Sequence, residues 1–367
     1  HTCKGHSNPM SEKDISDWAT WSETLAQPRI WRQWAGDCEF TSHRAWIEQQ
    51  EFDEVWFCGA GTSAFIGDII VAGLEGERGG ARLRAVASTD LVAQPSAYLT
   101  GRKPLVVSFG RSGNSSESVG TLDALDALAP TAPRLNITCN STSTLATRQS
   151  DATRVIALPP ETHDSGFAMT SSFSTMLLTA LMLFSTDTPD CAKLNRAADA
   201  FDAVLANMQR QIGNVPERAV FLGTGAMTYA AREAALKVME LSAGRIPCLW
   251  DSVLGFRHGP KSFVTDTTDI VVFTSANAPI AYYEADLINE LRQQFPQAHV
   301  ISIGPAADVD LAHPDGAVWA APNAILYAQL AGSIWSHAMG LNVDNPFEGQ
   351  GTLTRVVSGV QLYEVAP

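Results

Sequence analysis

The feature that most limits what this chain can fold into is a set of strand-like runs repeated at a nearly constant spacing. The first half carries VWFCGAG (55–61), PLVVSFG (104–110), RLNITCN (134–140) and RVIAL (154–158). The second half carries RAVFLGTG (218–225), DIVVFTS (269–275) and AHVISIG (298–304). Phe57 matches Phe221 at an offset of 164, while Leu105 matches Ile270 and Leu135 matches Val300 at 165. Three anchors at almost one offset, each with strand character preserved, point to an internal duplication. Short β-branched runs alternating with longer helical stretches imply βαβ units and a parallel sheet. The expected fold class is therefore α/β, with two tandem copies of one unit.

The segment 11–50 reads as helical and contains Trp18, Trp21, Trp31, Trp34 and Trp46. Aromatics at this spacing predict an arm that packs on a core or on a second subunit. A further helical stretch, Ala192 to Met208, links the halves. The expected boundaries are a leader and arm over 1–45, a first unit over 46–205 and a second over 206–367. The start, His1 to Pro9, reads as a leader outside the fold; its His1, Cys3 and His6 could ligate a metal only on paper. A chain of 367 residues can bury two full cores. Its formal charge of −14 argues against a nucleic-acid partner but not against one small phosphorylated ligand. No run of 18 apolar residues and no secretory signal is seen, and none of the six cysteines forms a CxxC pair. Reduced, buried thiols in a cytoplasmic protein are the expectation.

The first half holds Ser108-Phe109-Gly110-Arg111-Ser112-Gly113-Asn114-Ser115-Ser116-Glu117-Ser118 between a strand-like and a helix-like run. Backbone N–H groups at a helix start attract an anion, and serines add donors without bulk. Serines here could also merely cap the helix. Five of them, with two glycines and an arginine, favour phosphate binding. It is not a Walker loop. Gly59-Ala60-Gly61-Thr62-Ser63 reads as a second ligand-facing loop, because the full dinucleotide fingerprint does not follow cleanly. The equivalent loop of the second half, Thr274-Ser275-Ala276-Asn277-Ala278-Pro279, has lost the glycines and one N–H donor, so only the first copy is expected to bind phosphate.

Glu233, Lys237 and Glu240 fall on one face of a helix in the second half. On spacing alone they describe a surface ion-pair ladder. A nearby loop, Gly255-Phe256-Arg257-His258-Gly259-Pro260-Lys261, shifts the balance toward chemistry, since its histidine is suited to moving protons near neutrality.

These stretches resemble the tandem SIS (sugar isomerase) family. GAGTSAFIGDII (59–70), SFGRSGNSSESV (108–119), ETHDSGFAMTSS (161–172) and GFRHGPKS (255–262) look like its bacterial galactosamine-6-phosphate deaminase/isomerase group, formerly called tagatose-6-phosphate ketose/aldose isomerases. The resemblance, over residues 45 to 360, implies two flavodoxin-like three-layer units and a dimer with sites near the interface. It implies that Ser63, Arg111, Ser112 and Ser115 hold the phosphate, and that Gly61, Thr62, Ala168 and Arg355 contact the substrate. Glu240 would be the base between C1 and C2, Lys237 its helix neighbour, and His258 the ring opener, which in glucosamine-6-phosphate synthase comes from the other subunit. Where the synthase has a lysine near its C-terminus this chain has Arg355, which stays protonated and does not readily form an imine. Only a short helical arm precedes the first unit where the synthase has a glutaminase domain, so deamination is expected rather than amination. No metal or other cofactor is expected. A glucosamine-6-phosphate deaminase, a plain ketose/aldose isomerase, a non-catalytic sugar-phosphate sensor and, least favoured, a nicotinamide dehydrogenase are the other readings.

Overall fold

The structure is a computed structural model and describes residues 13–77, 80–351, 353 and 359–365. An arm of two helices, α1 (Ala19–Asp37) and α2 (Phe40–Glu48), leads into β1 (Glu54–Cys58). There follow α3 (Thr62–Leu74), β2 (Arg82–Ala85), α4 (Ser88–Ala93), α5 (Pro95–Leu99), β3 (Leu105–Gly110), α6 (Ser116–Leu128), β4 (Arg134–Thr138), α7 (Thr144–Thr147) and β5 (Thr153–Ala157). Helices α8 (Ser171–Phe184) and α9 (Ala192–Gln211) cross to the second half. That half runs β6 (Arg218–Gly223), α10 (Ala226–Leu241), β7 (Cys248–Ser252), β8 (Thr268–Phe273), α11 (Ile280–Gln294), β9 (His299–Gly304), β10 (Val309–Asp310) and α12 (Ala317–Ala338).

The strands form two parallel five-stranded sheets, β2-β1-β3-β4-β5 and β7-β6-β8-β9-β10. The two orders are the same when counted from each unit's first strand, which is the structural statement of the duplication. All seven runs read from the sequence are strands. β3, β4 and β8 are buried along their whole length, so both faces demand apolar or internally bonded residues. The turn after the first strand repeats to within a few degrees: Gly61 has φ 57° and ψ −129°, Gly225 φ 60° and ψ −127°. Only glycine takes this backbone without strain.

The sheet register corrects one detail of the repeat. Cys58 pairs with Ser108 and Leu222 with Val272, so β3 and β8 share the offset of 164 and Val106, not Leu105, is the counterpart of Ile270. Val107 pairs with Leu135 and Val271 with Ile301, which makes the next strands 166 apart. The two extra residues lie in α11, which has 15 residues against 13 in α6. The offset of 165 was a compromise between the two.

The units meet through α3, α8, α10 and α12. Every residue of α8 is buried, which explains a helix with no charged residue on any side. Among the described residues no helix is long and apolar enough to cross a membrane. The arm closes this layer. Trp31 and Trp34 are buried, and their indole N–H groups donate to Ser174 Oγ at 3.1 Å and Thr179 Oγ1 at 2.8 Å on α8. Trp31 and Trp34 therefore serve packing within the subunit, with their single polar atom satisfied.

Candidate active site

Strands β1 and β3 are neighbours where the order of the first sheet reverses. Their C-terminal loops flank the crevice in which open α/β sheets bind ligands. The Ser63 hydroxyl makes no hydrogen bond among the described residues, and Ser108 Oγ at the end of β3 is buried without a partner. Gly61 is exposed, so its main chain is reachable. The serine-rich loop is stapled from outside: Asn114 Oδ1 accepts from Thr144 N at 2.8 Å, and Asn140 Nδ2 donates to the Ser112 carbonyl at 3.1 Å. Ser112 Oγ accepts from Asn114 N at 3.3 Å. Ser115 is the N-cap of α6, accepting from Ser118 N at 3.2 Å and donating to Ser118 Oγ at 2.8 Å. Its hydroxyl is thus committed to capping, one of the two roles the sequence left open.

Gly113 sits at φ 64°, and a Cβ there would lie 2.3 Å from Ser143 Oγ and 2.7 Å from Thr138 Oγ1. The glycine is needed to seat the loop against its own scaffold as much as to admit a ligand. Gly113→Ala is expected to cost about 2 kcal/mol, from left-handed strain plus overpacking. It should also raise KM at least about tenfold by displacing the loop. Thermal melting and initial rates check both.

In the second copy the equivalent position is filled from within. The buried Glu284 carboxylate accepts from Ser275 N at 2.7 Å and Ser275 Oγ at 3.3 Å. Burial raises its pKa. A fixed carboxylate thus occupies an amide and a hydroxyl of this loop that would otherwise be free to meet an anion.

Glu233, Lys237 and Glu240 do share a face of α10, but it is not a surface ladder. Glu233 and Lys237 are 0% exposed, covered by α3. Lys237 Nζ donates to Glu240 Oε1, to Thr62 Oγ1 at 3.1 Å and lies 3.3 Å from Glu233 Oε1. Thr62 Oγ1 donates to Glu233 Oε1 at 3.3 Å, and Glu233 Oε2 is buried without a partner. Burial raises Glu233 to about 7, with Glu240 adding and Lys237 opposing. For Lys237, burial lowers the pKa but the two carboxylates outweigh it and the net shift is upward. Glu240 alone of the pair reaches solvent, with its side chain 15% exposed. The cluster thus presents one accessible carboxylate backed by a buried cation and a second carboxyl poised near neutrality. Glu233 thereby joins the site, which helical spacing alone does not reveal because spacing carries no sign of burial.

His258 is exposed at the end of a short turn, and among the described residues no hydrogen bond joins its side chain to this cluster. Arg111 Nη1 donates to the carbonyls of Gly166 and Phe167 at 3.0 and 3.1 Å, so part of its guanidinium orients the loop before α8. That loop is clamped further. Asp164 caps α8 through Thr170, Ser171 and Ser172 N–H groups, and Glu23 of the arm accepts from Ser165 N at 2.6 Å and Gly166 N at 3.2 Å. Ala168, expected at the substrate, has its side chain 0% exposed in a cluster with Trp18, Leu241 and Val343. Neither its side chain nor its main chain reaches solvent, so the expected substrate contact at Ala168 is not available in this structure. Arg355 lies outside the described residues, as do His1, Cys3 and His6. Among the described residues no group of three or more His, Cys, Asp and Glu is placed to hold a metal. Burial pushes the Cys58 and Cys139 thiols up to about 12, which removes them as nucleophiles.

The SIS domain family matches residues 51–186. The D-galactosamine-6-phosphate deaminase AgaS of Escherichia coli is 40% identical over 83% of this chain and 84% of that protein. The protein of the same name from Shewanella sp. (strain ANA-3) is 34% identical over 94% of this chain and 91% of its own length. The crystal structure of tagatose-6-phosphate ketose/aldose isomerase from Escherichia coli superposes with a TM-score of 0.84 at 36% identity, covering 95% of this chain and 99% of that one. Two parallel sheets of the same strand order, a serine-rich loop at the first switch point and a Glu-Lys-Glu cluster with one solvent-reaching carboxylate are thus joined by whole-length similarity, and the chain belongs to the AgaS family of SIS-domain proteins.

Proposed function

We propose that the chain is an amino sugar 6-phosphate deaminase/isomerase that converts galactosamine 6-phosphate to tagatose 6-phosphate and ammonia. The observation that carries this reading is the solvent-reaching Glu240 carboxylate held by the buried Lys237 beside the first copy's GTS loop. The phosphate docks on the Ser63 and Ser112–Ser115 loops and on the N–H groups of Arg111 not used by Gly166 and Phe167. The open aldose then loses its C2 proton to Glu240, leaving an enaminol across C1 and C2. Return of the proton at C1 makes a CH2OH group and moves the double bond to C2=NH. Water adds at C2 and ammonia leaves, giving the ketone. Each step needs a positioned base and charge stabilisation, which the glutamates and the lysine supply.

His258 opens the ring in this scheme. Its exposure, and the lack of a hydrogen bond to the cluster among the described residues, fit a dimer in which it serves the partner's site. Exposed Met239, Trp250, Leu254, Tyr282 and Tyr283 provide apolar surface for such a contact. The five described cysteines are free thiols, in keeping with a reducing cytoplasm.

The test is ammonia release from galactosamine 6-phosphate and glucosamine 6-phosphate in parallel. The expected result is release from both or from the galacto sugar alone, with kcat/KM at least about tenfold higher for the galacto epimer. Binding without ammonia from either sugar would replace this reading by a plain ketose/aldose isomerase or a sensor.

A further inference from the structure

The duplication is broken at one place that matters for the acid–base cluster. Glu233, Lys237 and Glu240 of α10 stand where the first copy has Ile69 and Gly73 in α3 and Gly76 in the turn after it, counted at the offset of 164. In the other direction, Thr62 at the start of α3 stands where α10 has Ala226. Each copy supplies what the other lacks, and the two contributions touch. We propose that Thr62 is a positioning residue of the acid–base cluster, whose hydroxyl locks the Lys237 ammonium between the two glutamates and does not bind the sugar.

Hydrogen-bond accounting leads there. An ammonium has three donors. Lys237 directs them at Glu240 Oε1, Thr62 Oγ1 at 3.1 Å and Glu233 Oε1 at 3.3 Å, and the residue is fully buried. The Thr62 hydroxyl spends its one proton on Glu233 Oε1 at 3.3 Å while accepting from Lys237, and Thr62 is 5% exposed. It has no proton left for a ligand. Its place is set by the Gly61 turn, and its branched Cβ limits χ1 to few rotamers. Without the hydroxyl, Lys237 has one buried N–H unpaired and is free to swing, and Glu240 loses the fixed partner that aims it.

The other titratable groups on the elements packed against α10 are engaged elsewhere. Asp68 of α3 pairs with Arg232 at 2.8 Å, and on α12 His337 accepts from Trp18 Nε1 at 3.1 Å and Tyr327 donates to Asp269 Oδ2 at 3.0 Å. Arg218 of β6 donates to the Phe263 carbonyl at 3.0 Å. On β7, Cys248 donates to the Ile246 carbonyl at 3.2 Å and Asp251 accepts from Ser252 N at 2.7 Å. α8 carries none.

This inference rests on the catalytic reading above, so its test has one arm with substrate and one without. With substrate, Thr62→Val should lower kcat about 100-fold, the usual scale for a misplaced catalytic group, with KM within about threefold. Thr62→Ser should restore kcat to within about fivefold of the parent. Without substrate, melting is followed against pH. A buried carboxyl raised from 4.5 to about 7 makes stability fall as pH rises through that window. Losing the Thr62 hydrogen bond raises Glu233 further, so the fall continues above 7 and the gap in Tm between Thr62→Val and the parent widens from about pH 6 to about pH 8. A raised KM with kcat kept, and a gap in Tm independent of pH, would make Thr62 a substrate ligand and overturn the proposal. If the parent itself releases no ammonia the catalytic reading fails, and the melting arm still decides Thr62.

Discussion

Glu240→Gln is expected to lower kcat about 1000-fold, in the range for loss of a general base, while the Kd for the sugar phosphate stays within about threefold. The substitution keeps the shape of the side chain and leaves an amide oxygen for Lys237, so the fold should be undisturbed. What it removes is a basic oxygen at the only carboxylate of the cluster that reaches solvent. Glu233 cannot take over, because it is 0% exposed behind Lys237. Binding measured by calorimetry beside steady-state rates separates the two effects. A variant with near-parent kcat would remove Glu240 from the mechanism.

Lys237→Met is expected to lose about 3–5 kcal/mol of stability, because it leaves the buried Glu233 and the partly exposed Glu240 without the cation they share. That corresponds to a fall in Tm of roughly 5 °C. The size follows from geometry: Lys237 is fully buried and contacts both glutamates, so its charge is not screened by water as a surface pair would be. Adding Glu233→Gln to Lys237→Met should recover a substantial part of the loss, since one uncompensated charge is then removed. Activity should not recover, because Glu240 would still lack its partner. Denaturant melts of the three proteins at neutral pH check this. A surface-like loss under about 1 kcal/mol would contradict the burial seen here.

Much of the fold was legible because fully buried strands leave an apolar signature. The runs at Leu105, Arg134 and Thr268 are covered on both faces, and composition follows directly. The three strands without a signature are short edges. β2 reads Arg-Leu-Arg-Ala with one buried residue, β10 has two residues, and β7 is half exposed throughout. Edge strands do not need an alternating or continuous apolar pattern, so nothing in the residues marks them.

The site divides along a different line. The residue types and their helical spacing were visible, including the i, i+4, i+7 face of α10. Their environment was not, because it comes from α3 of the other copy closing over that face. A ladder and a catalytic cluster have the same sequence and differ only in what covers them. The same holds for Arg111, whose tie to the Gly166 and Phe167 carbonyls depends on a loop 55 residues away in the chain. The clamps on that loop from Glu23 and Asp164 are likewise tertiary facts.

The most direct measurement is turnover of galactosamine 6-phosphate in heavy water, with ammonia and the sugar C1 and C2 positions read together by NMR. The account predicts one ammonia per ketose 6-phosphate and one new hydron at C1, either deuterium from solvent or protium carried from C2, with both absent for Glu240→Gln. Ketose without ammonia, or ammonia from a product whose C2 hydrogen is still in place, would contradict it.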